Sequence, residues 1–87
     1  MTPPFTTAVH AISAEVGDLV VIVDLRDNSS FELNATGSRI WRCLERDLQP
    51  ADIAKDLASH FGFDEKQAAV EVSALIDQLR EHGLLNS

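Results

Sequence analysis

The side chains able to do chemistry are few and scattered. Histidines stand at positions 10, 60 and 82, and the single cysteine is Cys43. A zinc site needs donors grouped in short spacings such as HxH, HxxxH or CxxC, because several of them must close on one ion. His10, His60 and His82 fall on different expected elements and have no such partners. Cys43 lacks a second cysteine for a disulfide or redox pair, and no histidine lies within sequence reach to form a nucleophilic dyad. Gly17, Gly37, Gly62 and Gly83 are too dispersed to make a phosphate-cradling loop. Without a convergent set of titratable groups, the chain reads as a non-enzyme with no catalytic residue, no metal and no cofactor.

The densest cluster of charge is Arg39, Arg42 and Arg46. At ~100° per helical residue these share a narrow arc opposite Ile40, Trp41, Leu44 and Leu48. One reading is a solvated face paired with Glu45 or Asp47. The other is a docking surface for a partner protein, suited to the planar, multidentate guanidinium. Trp41 belongs to the apolar arc and reads as core, with a ring large enough to shape a neighbouring pocket.

Composition narrows the partners. The 87 residues are 45% hydrophobic and 24% charged, enough for one core in a domain that buries about 60 to 65% of its unfolded surface. Fourteen acidic against seven basic residues give a net charge of −7, which repels phosphate backbones and argues against nucleic acid. The longest apolar run, Leu19 to Val23, is far short of the ~20 residues of a membrane span. With no basic start followed by an apolar stretch, the expectation is a cytoplasmic protein with no membrane partner. Residues 1–7 read as a flexible tail, Met1 to Pro4 most clearly, and residues 8–87 as one domain.

The elements that must position any site follow from periodicity and punctuation. Ile12, Ala14 and Val16 alternate with Ser13 and Glu15, the pattern of a half-buried strand, and Gly17-Asp18 supplies a turn. Leu19 to Leu25 is β-branched, short and stopped by Asp27-Asn28-Ser29, which predicts a central strand. Ser30-Phe31-Glu32-Leu33 alternates again after a hairpin-length connection and is expected at the sheet edge, with Phe31 and Leu33 inward and Ser30 and Glu32 outward. Asn34 can cap a first helix. Pro50 can open a second that carries Ile53, Leu57 and Phe61 and stops at Gly62. Asp64 and Gln67 resemble a capping box for a third and longest helix ending at Gly83, after which Leu84-Leu85 returns to the core. Three strands followed by three helices predict an α+β domain whose helices cover one face of the sheet.

On the third helix Ala68, Val72, Leu75 and Leu79 point together and Glu71, Gln78 and His82 flank them. Val70, Ala74, Asp77 and Glu81 lie outside. Apolar Val70 and Ala74 on an outer face suit a partner groove, although isolated small apolar residues are common on helix surfaces.

The run Gly17-Asp18-Leu19-Val20-Val21-Ile22-Val23-Asp24, followed by Phe31-Glu32-Leu33-Asn34-Ala35-Thr36-Gly37-Ser38-Arg39-Ile40-Trp41, resembles the PqqD-like family, also called the RiPP recognition element. The likeness continues through Ile53-Ala54-Lys55-Asp56-Leu57, Phe61-Gly62-Phe63-Asp64 and the Leu79 to Gly83-Leu84-Leu85 ending, and so covers about residues 8 to 85. No single piece is diagnostic; the order and spacing of all of them carry the resemblance. It implies a winged-helix-like fold that binds the leader segment of a precursor peptide as an added strand beside the third strand, in a groove closed by the third helix. The implied contacts are Ser30, Phe31, Glu32 and Leu33 on the strand and Val70, Glu71, Ala74, Leu75 and Gln78 on the helix.

Within the family the chain is similar to the freestanding leader-binding proteins of lasso-peptide pathways. That likeness implies a lasso precursor's leader, a separate cysteine peptidase that removes it and a cyclase as partners, with Arg39, Arg42 and Arg46 as the candidate enzyme-docking stripe. The alternatives are a PqqD-type chaperone for a radical SAM enzyme and a winged-helix transcription regulator. The regulator needs a recognition helix rich in base- and phosphate-reading side chains, and the third helix offers Lys66 and Arg80 among more numerous acids. An open edge strand can also pair two copies into a homodimer when no peptide is present.

Overall fold

Turn residues divide the chain where their chemistry requires it. The computed structural model describes residues 5–86, so Met1 to Pro4 of the expected tail lie outside the described residues. The elements are β1 (Thr6–Thr7), β2 (Ala11–Val16), β3 (Leu19–Asp24), β4 (Ser29–Glu32), α1 (Ala35–Glu45), α2 (Pro50–Phe61), α3 (Glu65–Glu81) and β5 (Leu85–Asn86). Gly17 takes φ 64° in the β2–β3 turn, and Asn28 takes φ 61° in the β3–β4 turn. There the Asp27 carboxylate accepts from the backbone N–H and the hydroxyl of Ser29. β2, β3 and β4 form one antiparallel sheet in that order, and the architecture is the expected α+β.

The three helices start and stop on recognisable caps. Asn34 Oδ1 accepts from Gly37 N–H at 2.8 Å, and Asp64 Oδ1 accepts from Lys66 and Gln67 N–H. Pro50 sits in the first turn of α2, and Gly62 closes it in the left-handed conformation. α1 is shorter than the Ile40 to Leu48 stripe suggests: it ends at Glu45, and Asp47 adopts φ 63°. Leu48 still packs against the core from the following turn.

The core lies between one face of the sheet and the helices. Val20 and Ile22 of β3 meet Ile40, Trp41 and Leu44 of α1, Ile53 and Leu57 of α2, and Val72, Ile76 and Leu79 of α3. Leu84 and Leu85 return to this core, as expected, and Leu85–Asn86 pairs with Thr6–Thr7. The sequence alone puts Thr6 and Thr7 in a flexible tail, whereas they form β1. Two threonines carry no periodicity, so a strand whose partner is at the other end of the chain leaves no local signal.

The first strand of the main sheet departs from expectation in polarity. Cross-strand partners share a face, and Ser13 pairs with Ile22 while Ile12 pairs with Val23. Ile22 is fully buried, so Ser13 and Glu15 face the helices and Ile12, Ala14 and Val16 face away. Ile12 and Val16 remain 50% and 64% exposed. Alternation alone defines two faces without saying which is covered. Here polar contacts decide: Ser13 Oγ donates to Glu45, and Glu15 accepts from Arg42.

A polar clamp joins the β3–β4 turn to the end of α3. Asp24, 3% exposed, receives the Arg26 guanidinium at 3.1 and 2.8 Å. Arg26 Nη2 also donates to the His82 carbonyl at 2.9 Å, and His10 Nε2 donates to the Gly83 carbonyl at 2.7 Å. Gly83 has φ 71°, which favours glycine, and a Cβ there would lie 2.7 Å from Arg26 Nη2, so a side chain would also push the guanidinium out of the clamp.

The side-chain and then backbone hydrogen bonds from Arg26 hold the Asp24 carboxyl at about 2, below its ordinary 3.8. A carboxylate lowered in this way contributes stability that is complete above its unfolded value and is lost as pH falls through the folded one. The denaturation midpoint is therefore expected to drop between about pH 4 and about pH 2, and more steeply in the native chain than in Asp24→Asn. Parallel pH profiles in chemical denaturation would remove the clamp from this account.

Candidate functional site

β4 is paired on one side only. Its neighbour is β3, and among the described residues no strand lies along its other edge. Leu33 N–H donates to the Val20 carbonyl at 2.9 Å. By the alternation of an antiparallel ladder, Phe31 and Leu33 turn their backbone groups toward β3, and Ser30 and Glu32 turn theirs to the open side. Side chains follow the expected pattern: Phe31 and Leu33 are half-buried against the core, and Ser30 and Glu32 are exposed. The edge thus presents the N–H and C=O of Ser30 and Glu32 at the two-residue spacing that an extended chain matches.

Ser38 locks the end of this strand. Its buried hydroxyl accepts from Val20 N–H at 2.8 Å and donates to the Leu33 carbonyl at 3.2 Å. A hydroxyl from α1 therefore bridges the last rung between β3 and β4 and ties the strand to the helix.

α3 forms the opposite bank. At one end the Phe31 and His82 rings lie 4.8 Å apart. At the other, Glu71, Ala74, Leu75 and Gln78 face Asn34, Thr36, Gly37 and Ile40 across a depression of about 160 Å³. Its base is apolar and its rim is Asn, Thr, Glu and Gln, a lining that can seat a side chain while holding a backbone by hydrogen bonds. A Cβ on Gly37 would stand 3.2 Å from Asn34 Oδ1 and 3.4 Å from Leu33 Cβ, so glycine lets α1 start close against β4.

Of the expected helix residues, Glu71, Ala74, Leu75 and Gln78 line one depression with the start of α1; of the expected strand residues, Phe31 reaches the end of α3 through His82, and none of Ser30 to Leu33 lines the depression. Val70 is set apart: 64% exposed, it lines a separate hollow on the outer side of α3 with Ala69, Ser73 and Ala74. Ala74 borders both hollows.

The arginine stripe is largely engaged within the chain. Arg39 grips Asp56 of α2 with two hydrogen bonds of 2.7 and 3.0 Å. Arg42 bonds Glu15 at 2.9 Å and the Asp18 carbonyl at 3.1 Å. Arg46 is exposed. The partners come from other elements and not from Glu45 or Asp47 on the same segment, a pairing that only the tertiary fold can set.

The remaining chemical groups have structural surroundings. Cys43 is buried, with Sγ 3.6 Å from Asp56 Oδ2. Burial first, then the Asp56 carboxylate, pushes its thiol above the usual range, which keeps it protonated. His60 meets the edge of the Phe61 ring at 4.7 Å. Among the described residues no group of three or more His, Cys, Asp or Glu could hold a metal ion, and no helix is long and apolar enough to cross a membrane.

The model of the family described as Coenzyme PQQ synthesis protein D (PqqD) matches residues 20–85. The chain belongs to the PqqD family. Two solved structures resemble this PqqD-family chain over nearly its full length. TbiB1 in complex with the TbiA(beta) leader peptide aligns with a TM-score of 0.89 at 27% identity, covering 94% of this chain and 95% of that one. A lasso peptide synthetase B1 complexed with the leader peptide aligns at 0.88 and 26%, covering 95% and 98%. No curated protein sequence matches the chain.

The sequence did not single out Ser38, nor the far bank formed by Asn34, Thr36, Gly37 and Ile40. A serine among small helical residues has many ordinary explanations, and only the ladder geometry shows its bridge. Ser38→Ala would leave buried Val20 N–H without its acceptor and the Leu33 carbonyl without its donor. Urea unfolding is expected to show a loss of about 1–3 kcal/mol; a smaller loss than Ala substitution at an exposed serine would contradict the bridging role.

Proposed function

We propose that this PqqD-family chain captures the leader segment of a ribosomally made precursor peptide as an added strand along β4, and presents it to the enzymes that process it. The observation that carries this reading is the unpaired Ser30/Glu32 backbone edge of β4, a strand whose Phe31 touches His82 at the end of α3. The two solved structures at 27% and 26% identity, both holding leader peptides, support it. Edge addition gives affinity through main-chain hydrogen bonds and selectivity through pockets for alternate side chains. The contacts assigned to this site are Ser30 to Leu33 with Glu71, Ala74, Leu75 and Gln78, whereas Val70, expected among them, lines the separate hollow on the outer side of α3.

The likeness to lasso peptide synthetase B1 favours a lasso precursor over the client of a radical SAM enzyme, although the binding step would be the same. In this reading the chain carries no catalytic residue and acts in the cytoplasm as the recognition subunit. A separate cysteine peptidase removes the leader, and a cyclase acts on the core peptide. A transcription regulator is disfavoured by the net charge of −7, and Arg80 of α3 is turned over the Phe5 ring.

Trp41 is fully buried and does not line the depression, so calorimetry is a more direct readout than its fluorescence. The test is titration with the leader of the pathway's precursor peptide and with a scrambled leader. Glu32→Pro removes an N–H that faces the open edge while leaving the β3 ladder intact. It is expected to weaken binding about tenfold or more, consistent with the roughly 0.5–1.5 kcal/mol of one hydrogen bond plus a ring in the strand's path. Gln78→Ala and Leu75→Lys are expected to weaken binding too, the latter partly through stability, and Arg42→Ala to leave it within about twofold. Unchanged affinity in every groove variant would remove the groove assignment, and equal affinity for the scrambled leader would remove the recognition role.

A further inference from the structure

Charge is segregated around α3. At ~100° per residue, Glu71, Ala74, Leu75 and Gln78 share one face of the helix, and Lys66 and Arg80 fall roughly opposite. Arg80 is turned over the Phe5 ring, and Lys66 lines the outer hollow with Val70. No lysine or arginine lines the depression at the start of α1, where Glu71 supplies the charge. Asn34, just past Leu33, belongs to the same lining, so an extended chain that follows β4 beyond its end passes Glu32 and then reaches Glu71. Arg26, at the other end of β4, is committed to Asp24 and the His82 carbonyl, and Arg39 and Arg42 to Asp56 and Glu15. Glu32 and Glu71 are both exposed, and among the described residues neither forms an ion pair. Across the ladder Glu32 stands opposite Val21, which offers no charge.

We infer, on the leader-capture reading above, that these two carboxylates select a cationic leader: Glu71 takes a lysine or arginine that turns toward α3, and Glu32 takes one that turns to the outward face of the sheet. Side chains of an added strand alternate between the two faces, so these two basic residues stand an odd number of positions apart in the leader. Opposed side chains on one face of neighbouring strands have Cβ atoms about 4.5–5.5 Å apart, well within the reach of lysine or arginine. Placement counts for more than total charge. The chain's −7 draws any cation from a distance, but that pull is screened over about 8 Å at physiological salt, whereas a carboxylate with no partner of its own offers a contact pair. An acidic residue in either position of the leader would be repelled, so the same two groups reject wrong sequences as well as favouring the right ones.

The experiment is calorimetric titration of the full chain with the pathway's leader peptide and with the same peptide carrying glutamine in place of each lysine and arginine. The variants are Glu71→Gln, Glu32→Gln and the two combined. Asp47→Asn/Asp77→Asn is the control: it removes the same charge from the turn after α1 and from the outer side of α3. Each glutamine substitution is expected to weaken binding of the native leader about threefold and the pair about tenfold, with the control within twofold. The glutamine-bearing leader is expected to bind the native chain about tenfold more weakly and to respond to none of the variants. That comparison of leaders uses the native chain alone, so it decides the matter even if a variant unfolds. Equal affinity of the native chain for the two leaders, losses no larger than the control's, or a bound segment without basic residues at odd spacing would overturn the inference and leave leader capture standing. A native chain that binds neither leader would overturn leader capture and the charge selection with it.

Discussion

Arg26 links parts of the chain 56 residues apart, and the groove depends on that link. One guanidinium neutralises buried Asp24 at the end of β3 and caps the His82 carbonyl at the end of α3. Together with the His10 bond to Gly83 it fixes where α3 stops relative to the β3–β4 turn. Ser38 fixes the other end of β4 against α1. Between these two ties the strand has one satisfied edge and one open edge, held at a set distance from α3. A buried, charge-assisted bond can do this because its partners have no favourable alternative once removed from water.

Function of this kind needs a fold that is left incomplete in a controlled way. Open edges invite uncontrolled pairing, and proteins restrain them with short strands and charge. β4 has four residues and carries exposed Glu32, and α3 stands beside it, so access is limited to a chain that can lie in the groove. Main-chain complementarity and a shallow amphipathic depression suffice to bind a peptide, and the chemistry can reside in another protein.

Much of this was legible in the sequence because it rests on local physics. Asn34, Pro50, Gly62, Asp64 and Gly83 mark helix ends through capping and left-handed geometry, and the structure uses each of them so. Phe31 and Leu33 were read as inward by alternation, and they are. What escaped the sequence depends on distant partners. The facing of β2 is decided by Glu45 and Arg42 on α1, the strand at Thr6–Thr7 by residues at the far end, and the Arg39 and Arg42 pairs by Asp56 and Glu15. The far bank of the groove, at the start of α1, was hidden for the same reason: Thr36 and Gly37 look like ordinary first-turn residues until α3 is placed across from them.

The central claim is that a peptide joins β4 through the backbone of Ser30 and Glu32. Amide hydrogen exchange followed by NMR, with and without the pathway's leader peptide, tests it residue by residue. Phe31 and Leu33 amides face β3, so the free chain should already protect them. Saturating leader is expected to slow exchange at Ser30 and Glu32 by about tenfold or more, the effect of giving an exposed N–H a stable partner. If the leader binds and these two amides exchange as fast as before, the peptide lies elsewhere and the added-strand account is contradicted.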